Sequence, residues 1–176
     1  NDKELAGRLT MVANHGQSKK YYHDMVGCNS RLDSMQAVIL DIKLKHLDEY
    51  IAARRKAADH YDRPFGDHPR LKIPYRPPYS RHVFHQYTLI VDVKENPAAY
   101  RDSLKDFLAA SQIPSMIYYP VPGHKQKMFE AFNTASNKMP VTDWLTERVI
   151  SLPMHTELDE EQMDHIVTKV LEFLDK

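Results

Sequence analysis

Side chains suited to anion binding are concentrated in one stretch near the start of the chain, between residues 15 and 33. Asn29 offers an amide that both donates and accepts hydrogen bonds, and Arg31 offers a planar guanidinium that suits phosphate. Gly16 and Gly27 allow the backbone to approach a ligand where a side chain would clash. The same residues also fit a hydrogen-bonded loop in which the asparagine or the serine after it caps a helix. From residue types alone, that structural interpretation is favoured over a binding site.

A second cluster of polar side chains begins with the neighbouring tyrosines Tyr118 and Tyr119. They stand at the end of a predicted strand and lead into a Pro-Val-Pro segment, residues 120–122, followed by His124. Two tyrosines that leave a strand in this way can present hydroxyls and ring faces to a sugar or a nucleotide. Without further context, one tyrosine in the core and one on the surface is the favoured alternative.

The sequence does not indicate a metal-binding site or a catalytic nucleophile. His82 and His85 lie three residues apart in a predicted strand, so they face opposite sides and cannot easily share a metal. No Cys/His spacing matches a zinc site. Cys28 has no neighbouring base that would make it a nucleophile. A glycine-rich phosphate loop is absent as well.

The overall composition excludes several classes of protein. The 176 residues are 42% apolar and 27% charged, with 24 Lys+Arg balanced by 24 Asp+Glu. This balance argues against a nucleic-acid-binding protein, since these usually carry a basic domain or face. No apolar run approaches membrane-spanning length and no signal peptide opens the chain. The single cysteine is compatible with a reducing compartment, and we expect a cytoplasmic protein.

The first third of the chain is predicted to be mainly helical. A short helix is expected over residues 2–13, followed by a long irregular loop over 14–31. Residues 32–61 show apolar spacing typical of one long helix, which Pro64 is expected to close. The basic run at 54–56 within it is interleaved with acids, which favours a solvated helix face over a basic patch.

The remainder of the chain alternates between strands and helices. Residues 64–80 contain five prolines and are predicted to form an extended linker. Residues 82–93 alternate in the manner of a strand. Further strands are predicted over 113–119 and 150–152, with helices over 97–110, about 124–132, 140–149 and 159–174. This order predicts an α+β domain in which helices cover one face of a sheet.

Several blocks along the chain, taken together, match the pattern of one enzyme family. The blocks are His15-Gly16, Tyr22-His23, residues 27–40, Lys43-Leu44, residues 82–87, residues 118–126, residues 151–154 and residues 158–162. In this order they resemble the DegT/DnrJ/EryC1/StrS family of sugar-nucleotide aminotransferases. The resemblance covers nearly the whole chain.

The resemblance implies the fold of aspartate aminotransferase, which is fold type I among enzymes that use pyridoxal 5'-phosphate. Such proteins have a large cofactor-binding domain followed by a small α+β domain. Residues 1–63 are then the end of the large domain with an interface loop and a long linking helix, residues 64–80 a linker, and residues 81–176 the small domain. The rest of the large domain, with the lysine that carries the cofactor, is missing from this chain. We therefore nominate no catalytic residue and expect the chain alone to be inactive.

The same resemblance implies roles for five residues. Asn29 matches the asparagine that reaches the cofactor phosphate of the neighbouring subunit, and Arg31 beside it is placed to contact phosphates or a sugar acid of the substrate. The segment of Tyr118, Tyr119 and His124 matches the lining of the sugar-nucleotide pocket. One position departs from the pattern, because a glycine, residue 123, stands where the family usually has a larger apolar residue.

The implied reaction is transfer of an amino group, with glutamate the expected donor, to a keto-sugar nucleotide. The product would be an amino sugar for a surface polysaccharide, made by a homodimer with shared active sites that has no nucleic-acid or membrane partner. Two alternatives stay open. One is a pyridoxal-phosphate-dependent sugar dehydratase of the same family, and the other is a non-catalytic binding or dimerisation module.

Overall fold

The first helix, α1 (Lys3–Ala13), begins at Asp2, whose carboxylate accepts a hydrogen bond from the Leu5 amide. In the computed structural model, which describes residues 1–132, 136 and 138–176, α1 belongs to a compact unit of residues 1–47. A short hairpin and a second helix complete this unit. They are β1 (Gln17–Lys19), β2 (Tyr22–His23) and α2 (Ser34–Leu44). The predicted helix over residues 2–13 is confirmed.

The segment between α1 and α2 is ordered by backbone hydrogen bonds and contains a short hairpin, so the loop predicted over 14–31 is only partly irregular. Besides the hairpin, Asn14 and Asn29 form an antiparallel bridge. The amides of Cys28 and Ser30 donate to the carbonyls of Val12 and Ala13, at 2.8 and 2.9 Å. The segment therefore returns to the last turn of α1 and satisfies carbonyls that the helix itself leaves unpaired.

Two glycines make this return possible. Gly16 has a φ of +74°, and a Cβ there would lie 1.7 Å from the Met25 carbonyl oxygen. A Cβ on Gly27 would lie 2.2 Å from the Gly16 nitrogen and 2.6 Å from the Val12 carbonyl oxygen. Both contacts involve backbone atoms, which cannot move aside as a flexible side chain could. The close approach therefore requires glycine at both positions.

The helix predicted over residues 32–61 is two helices, α2 and α3 (Leu47–Phe65), separated by a turn at Lys45 and His46. The amides of these two residues donate to carbonyls three positions back, those of Ile42 and Lys43. Such bonds tighten the last turn and end the α-helical ladder without any glycine or proline. The apolar spacing runs on across the break, which is why the sequence did not reveal it.

The ends of these helices also differ from expectation. The cap of α2 is Asp33, whose Oδ1 accepts from the Gln36 amide at 2.8 Å, and neither Asn29 nor the serine after it. Pro64 does not close α3, because the helix continues to Phe65. Proline is tolerated there since it costs only one hydrogen bond in the last turn.

The second compact unit, residues 48–176, is built on a three-stranded antiparallel sheet. Its strands are β3 (Leu71–Lys72), β4 (Tyr87–Val91) and β5 (Val149–Leu152), with β4 in the centre. Alternate residues of β4, namely Tyr87, Leu89 and Val91, are fully buried. The sheet thus presents one face of its central strand to the core.

Helices cover this sheet. They are α4 (Pro97–Ala110), α5 (Pro140–Thr146) and α6 (Glu160–Leu174), with two 3₁₀ helices at Gly123–Lys125 and Lys127–Phe132. Phe173 of α6 packs against Tyr100 and Phe107 of α4, with ring centroids 5.2 and 5.6 Å apart. The α+β class predicted from the sequence agrees with this mixture of elements. The predicted helix over 97–110 is confirmed, whereas the helices predicted over 124–132 and 140–149 are the two 3₁₀ helices and the shorter α5.

The strand predicted over residues 82–93 begins only at Tyr87. The guanidinium of Arg55 donates to the His82 carbonyl at 3.1 Å, and that of Arg54 donates to the His85 carbonyl at 3.2 Å. Carbonyls used in this way are not paired with a neighbouring strand. The basic run at 54–56 is therefore only partly a solvated face, since its two arginines hold the segment before β4.

Two other predicted segments also change. Residues 113–119 form no strand, and Met116 alone bridges to Ser151 of β5. Pro114 has no N–H for a ladder, which explains the weak pairing. The predicted linker over 64–80 contributes β3 to the sheet. The assignment of residues 1–63, 64–80 and 81–176 to parts of a larger enzyme stays a prediction.

Two buried tyrosines lie at the centre of the second unit. The Tyr61 hydroxyl donates to the Pro153 carbonyl at 3.1 Å, and the Tyr87 hydroxyl donates to Asp62 at 2.6 Å. Burial raises the pKa of both phenols above 10, and for Tyr87 the neighbouring Asp62 carboxylate raises the pKa further. Both tyrosines are therefore held in the neutral form by the folded structure.

We predict that Tyr61 and Tyr87 ionise only when the second unit unfolds. The raised pKa means that the unfolded chain loses these protons first, so the free energy of unfolding is insensitive to these groups below about pH 10 and falls above it. Phenolate absorbance and circular dichroism, followed together through an alkaline titration, will test this. As a control, Tyr75→Phe, at an 80% exposed position, should remove one tyrosine from the early phase. Complete ionisation of the tyrosines with native circular dichroism would contradict the prediction.

We further predict that Gly27→Ala loosens the return of the chain to α1. The added methyl group must displace backbone atoms, which costs about 1–3 kcal/mol. Hydrogen exchange of the Cys28 and Ser30 amides should accelerate. Gly7→Ala is the matched control, because no atom lies within 4 Å of its Cβ. It should leave these amides unchanged and stabilise α1 by about 0.5–1 kcal/mol. Equal exchange rates in the two variants would refute the steric argument.

Candidate functional site

Asn29 and Arg31 form a local pair in the first unit. The Arg31 Nε atom donates to the Asn29 Oδ1 atom at 3.0 Å, and both residues are exposed. This bond uses the amide oxygen of Asn29 and orients its amide nitrogen as a donor. Arg31 keeps the terminal nitrogens of its guanidinium as further donors. An amide and a guanidinium held side by side suit a phosphate group.

The backbone around Asn29 explains why this pair is presented there. Asn29 bridges to Asn14 directly after α1, and the following residue, Ser30, is tied to the Ala13 carbonyl. Nearby, the His23 ring contacts the His15 carbonyl oxygen at 2.8 Å through Nδ1. The local fold therefore fixes the backbone on both sides of the donors while their side chains stay accessible.

A cavity of about 260 Å³ in the second unit contains the tyrosine cluster. One wall is the loop from Tyr118 to Gly123, and the other is α5 with the start of β5. The lining residues are Tyr118, Tyr119, Val121, Pro122, Gly123, Thr142, Leu145, Thr146 and Val149. The lining is largely apolar, and its polar groups are tyrosine and threonine hydroxyls. Such a surface suits a neutral, polar part of a ligand, such as a sugar or a base.

The two tyrosines are placed differently within this cavity. Tyr119 is 68% exposed, whereas Tyr118 is half-buried. Their rings meet edge to face with centroids 5.5 Å apart. Tyr118 also lines a neighbouring cavity of about 310 Å³ that contains His85 and His155. Neither tyrosine is a core residue, so both can offer their hydroxyls to a ligand.

His124 lies behind the loop and does not line this cavity. Its side chain is only 4% exposed, and its Nε2 atom is 3.6 Å from Oδ1 of Asp143 on α5. The same carboxylate oxygen is 2.6 Å from the Lys125 Nζ atom. Asp143 could not be connected with the tyrosine loop from the sequence, because no spacing rule links the two segments.

The second wall of the cavity, α5, is fixed at its C-terminal end. The buried Arg101 of α4 donates to the Thr146 carbonyl at 2.8 Å. The Trp144 ring contacts two cations, with Lys72 Nζ at 5.6 Å and the Arg148 guanidinium at 4.8 Å from its centroid. These contacts hold the short helix against the sheet, since β3 carries Lys72.

Gly123 is the position that departs from the family pattern. A Cβ atom placed there would have no other atom within 4 Å. A larger apolar residue would therefore fit there without a clash and would project at the edge of the cavity. Glycine leaves this space open. The shape of the cavity at this edge therefore depends on the residue at position 123.

Within residues 1–132, 136 and 138–176, no group of three or more His, Cys, Asp or Glu side chains is arranged to hold a metal ion. Nor is any helix in these ranges long and apolar enough to cross a bilayer. The His82 ring accepts a hydrogen bond from the Phe84 amide through Nδ1, at 2.9 Å, and so supports the local backbone.

Known proteins resemble this chain along nearly its whole length. The UDP-N-acetyl-3-dehydro-alpha-D-glucosamine 3-aminotransferase of Acidithiobacillus ferrooxidans is 44% identical over 172 residues, which are 96% of this chain and 43% of that protein. The dTDP-3-amino-3,6-dideoxy-alpha-D-galactopyranose transaminase of Aneurinibacillus thermoaerophilus is 36% identical, over 97% of this chain and 44% of that protein. The crystal structure of S. venezuelae DesV superposes with a TM-score of 0.87 at 32% identity, over 99% of this chain and 45% of that one.

The chain thus spans less than half the length of these relatives. Residues 1–171 match the DegT/DnrJ/EryC1/StrS aminotransferase family, which confirms the resemblance found from the sequence blocks. Enzymes of this family use pyridoxal phosphate. The chain therefore belongs to the DegT/DnrJ/EryC1/StrS aminotransferase family and corresponds to a C-terminal portion of its members.

Proposed function

We propose that this chain is the C-terminal part of an enzyme that transfers an amino group from glutamate to a keto-sugar nucleotide. The observation that carries the proposal is the family match over residues 1–171. The hydroxyl-lined cavity beside Tyr118 and Tyr119 supports it, because such a lining suits a sugar nucleotide. The product would be an amino sugar for a surface polysaccharide, made in the cytoplasm.

The names of the relatives narrow the substrate class. The A. ferrooxidans relative acts on a UDP-linked 3-keto sugar, and the A. thermoaerophilus relative makes a dTDP-linked 3-amino sugar. We propose a pyrimidine nucleotide sugar with a keto group at C3 as the substrate. The open space at Gly123 bears on which sugar fits, since a larger residue there would reduce the cavity.

The residues of this chain fit the roles that the cofactor and substrate require. When bound, pyridoxal phosphate supplies the electron sink for amino-group transfer. Asn29 and Arg31 offer paired donors, with Asn29 serving the cofactor phosphate and Arg31 a phosphate or acid group of the substrate. Tyr118 and Tyr119 hold the sugar nucleotide by hydroxyl hydrogen bonds, and the apolar lining around them excludes water. The lysine that carries the cofactor is expected outside this chain, so we propose that the chain alone is inactive.

The surface of α2 supports a homodimer with shared active sites. Its apolar side chains are exposed, although an isolated helix of this composition would not be stable in water. They are Met35, Val38, Ile39, Leu40, Ile42 and Leu44, with exposed fractions from 48% to 76%. We propose that a second subunit and the remainder of the aspartate-aminotransferase fold cover this surface.

We predict that the full-length protein, loaded with pyridoxal phosphate, converts glutamate to 2-oxoglutarate in the absence of sugar. Addition of a UDP- or dTDP-linked 3-keto sugar should then yield the amino sugar, detected by mass spectrometry, and restore the starting absorbance of the cofactor. Loss of a sugar hydroxyl group as water, without amination, would identify the dehydratase alternative. Absence of both cofactor absorbance and turnover would identify a non-catalytic module and refute the proposal.

The shared active site gives a separate prediction for Asn29. Asn29→Ala should lower cofactor retention, because a hydrogen bond to a charged phosphate contributes about 1.5–3 kcal/mol. A mixed dimer of this variant with a subunit lacking the cofactor lysine has one site with both residues intact if Asn29 acts across the interface. Partial activity should then return.

Dimers of wild-type and lysine-deficient subunits serve as the control, since they measure the activity of one intact site. Purified mixed dimers that stay as inactive as either parent would show that Asn29 does not act in the neighbouring subunit. A normal cofactor content in Asn29→Ala would show that it does not bind the phosphate at all.

A further inference from the structure

One carboxylate connects the two walls of the tyrosine cavity. Asp143 lies on α5, between the lining residues Thr142 and Leu145. Its Oδ1 atom is buried and faces both Lys125 Nζ, at 2.6 Å, and His124 Nε2, at 3.6 Å. Both partners lie in the 3₁₀ turn that ends the opposite wall.

The contact with Lys125 is the stronger of the two. A distance of 2.6 Å between an ammonium and a carboxylate is that of a close ion pair, and about two thirds of the Asp143 side chain is removed from water. The 3.6 Å distance to the imidazole is too long for a hydrogen bond but places the buried ring against the carboxylate. The loop therefore makes both an ion pair and a packing contact with Asp143, and these two contacts are called the Asp143 tie below.

The two ends of this tie differ in how firmly they are held. The Asp143 amide donates to the Met139 carbonyl, and the end of α5 is fixed by Arg101 and by the cations around Trp144. The loop has short-range bonds of its own, such as the Lys125 amide to the Pro122 carbonyl at 3.0 Å. The hydrogen bonds within the loop do not determine the distance between the loop and α5. The contact with the Asp143 carboxylate, which is held in place by α5, does.

We propose that Asp143 is a positioning residue that sets the width of the cavity between Tyr118–Gly123 and α5, and thereby the affinity for the sugar nucleotide. This rests on the proposed function of the cavity. Asp143 does not line the cavity, so it acts through Lys125 and His124 rather than on the ligand. Binding of the amino donor should not depend on it, because the tie concerns only the wall that faces the sugar nucleotide.

The test uses the full-length enzyme with pyridoxal phosphate and two readouts. The first is hydrogen exchange of the Lys125 and Gln126 amides, which donate to the Pro122 and Gly123 carbonyls. The second is the affinity, by calorimetry, for UDP-N-acetylglucosamine and dTDP-glucose, which carry hydroxyls in place of the keto group and are not aminated. In Asp143→Ala, we expect faster exchange and an affinity about tenfold lower, as expected for a displaced binding wall.

Three further variants separate positioning from general damage. Asp143→Glu should restore much of the affinity, and Lys125→Met should reproduce part of the loss from the other side of the tie. Asp164→Asn is the matched control, because it removes a carboxylate that contacts an imidazole, that of His60 at 2.8 Å, outside this cavity. It should change neither readout. The glutamate half-reaction should proceed at the wild-type rate in Asp143→Ala.

The outcomes separate this inference from the function on which it rests. Unchanged exchange of the loop amides in folded Asp143→Ala, or unchanged affinity despite faster exchange, overturns the positioning role. Equal loss of the glutamate half-reaction also overturns it, since that would indicate general damage. If the wild-type enzyme binds neither sugar nucleotide while Asp143→Ala still loosens the loop, the tie is upheld and the proposed function of the cavity fails.

Discussion

The contact on which the second unit depends most is the one between Asp62 and Tyr87. The carboxylate of Asp62, on α3, accepts a hydrogen bond from the Tyr87 hydroxyl at 2.6 Å and pairs with Arg76 at 2.6 Å. A helix, the central strand and the proline-rich segment thereby meet at one half-buried carboxylate. Without these partners, burying the Asp62 carboxylate would lower the stability of the fold by about 1–3 kcal/mol. The hydrogen bond and the ion pair offset this cost. The Arg76 guanidinium also lies 4.6 Å from the ring of Phe84, which extends the network to the segment before β4.

A series of contacts connects this carboxylate with the tyrosine cavity. The ring of Tyr87 packs on Tyr61, and β4 then pairs with β5 in antiparallel register. β5 follows α5 directly, so the position of the sheet determines where one wall of the cavity stands. The other wall, the tyrosine loop, follows the segment that bridges to the sheet at Met116. The contact between Asp143 and Lys125 also joins this loop to α5.

The first unit is ordered by close backbone packing at glycines and by backbone hydrogen bonds, and not by a core of buried side chains. No residue of α1 or α2 is buried. Order comes instead from the close approach at Gly16 and Gly27, and from amides that return to the end of α1. The result is a fixed backbone around Asn29 with a largely apolar, exposed helix after it.

Much of this protein could be determined from its sequence alone. The family, the α+β class and the helix at 97–110 follow from local residue patterns, since periodicity and motif spacing are properties of short segments. The sequence also singled out Asn29, Arg31, Tyr118 and Tyr119, whose roles remain proposals. These residues stand out because their chemistry is local to the motifs that contain them.

Only the tertiary structure decided how distant segments meet. The break after α2 has no glycine or proline, and the late start of β4 depends on arginines of α3 that lie some thirty residues earlier in the chain. Asp143 likewise gains its place only because folding brings α5 against the tyrosine loop. Such contacts depend on packing between segments, and a pattern within one segment carries no information about which side chain from elsewhere will face it.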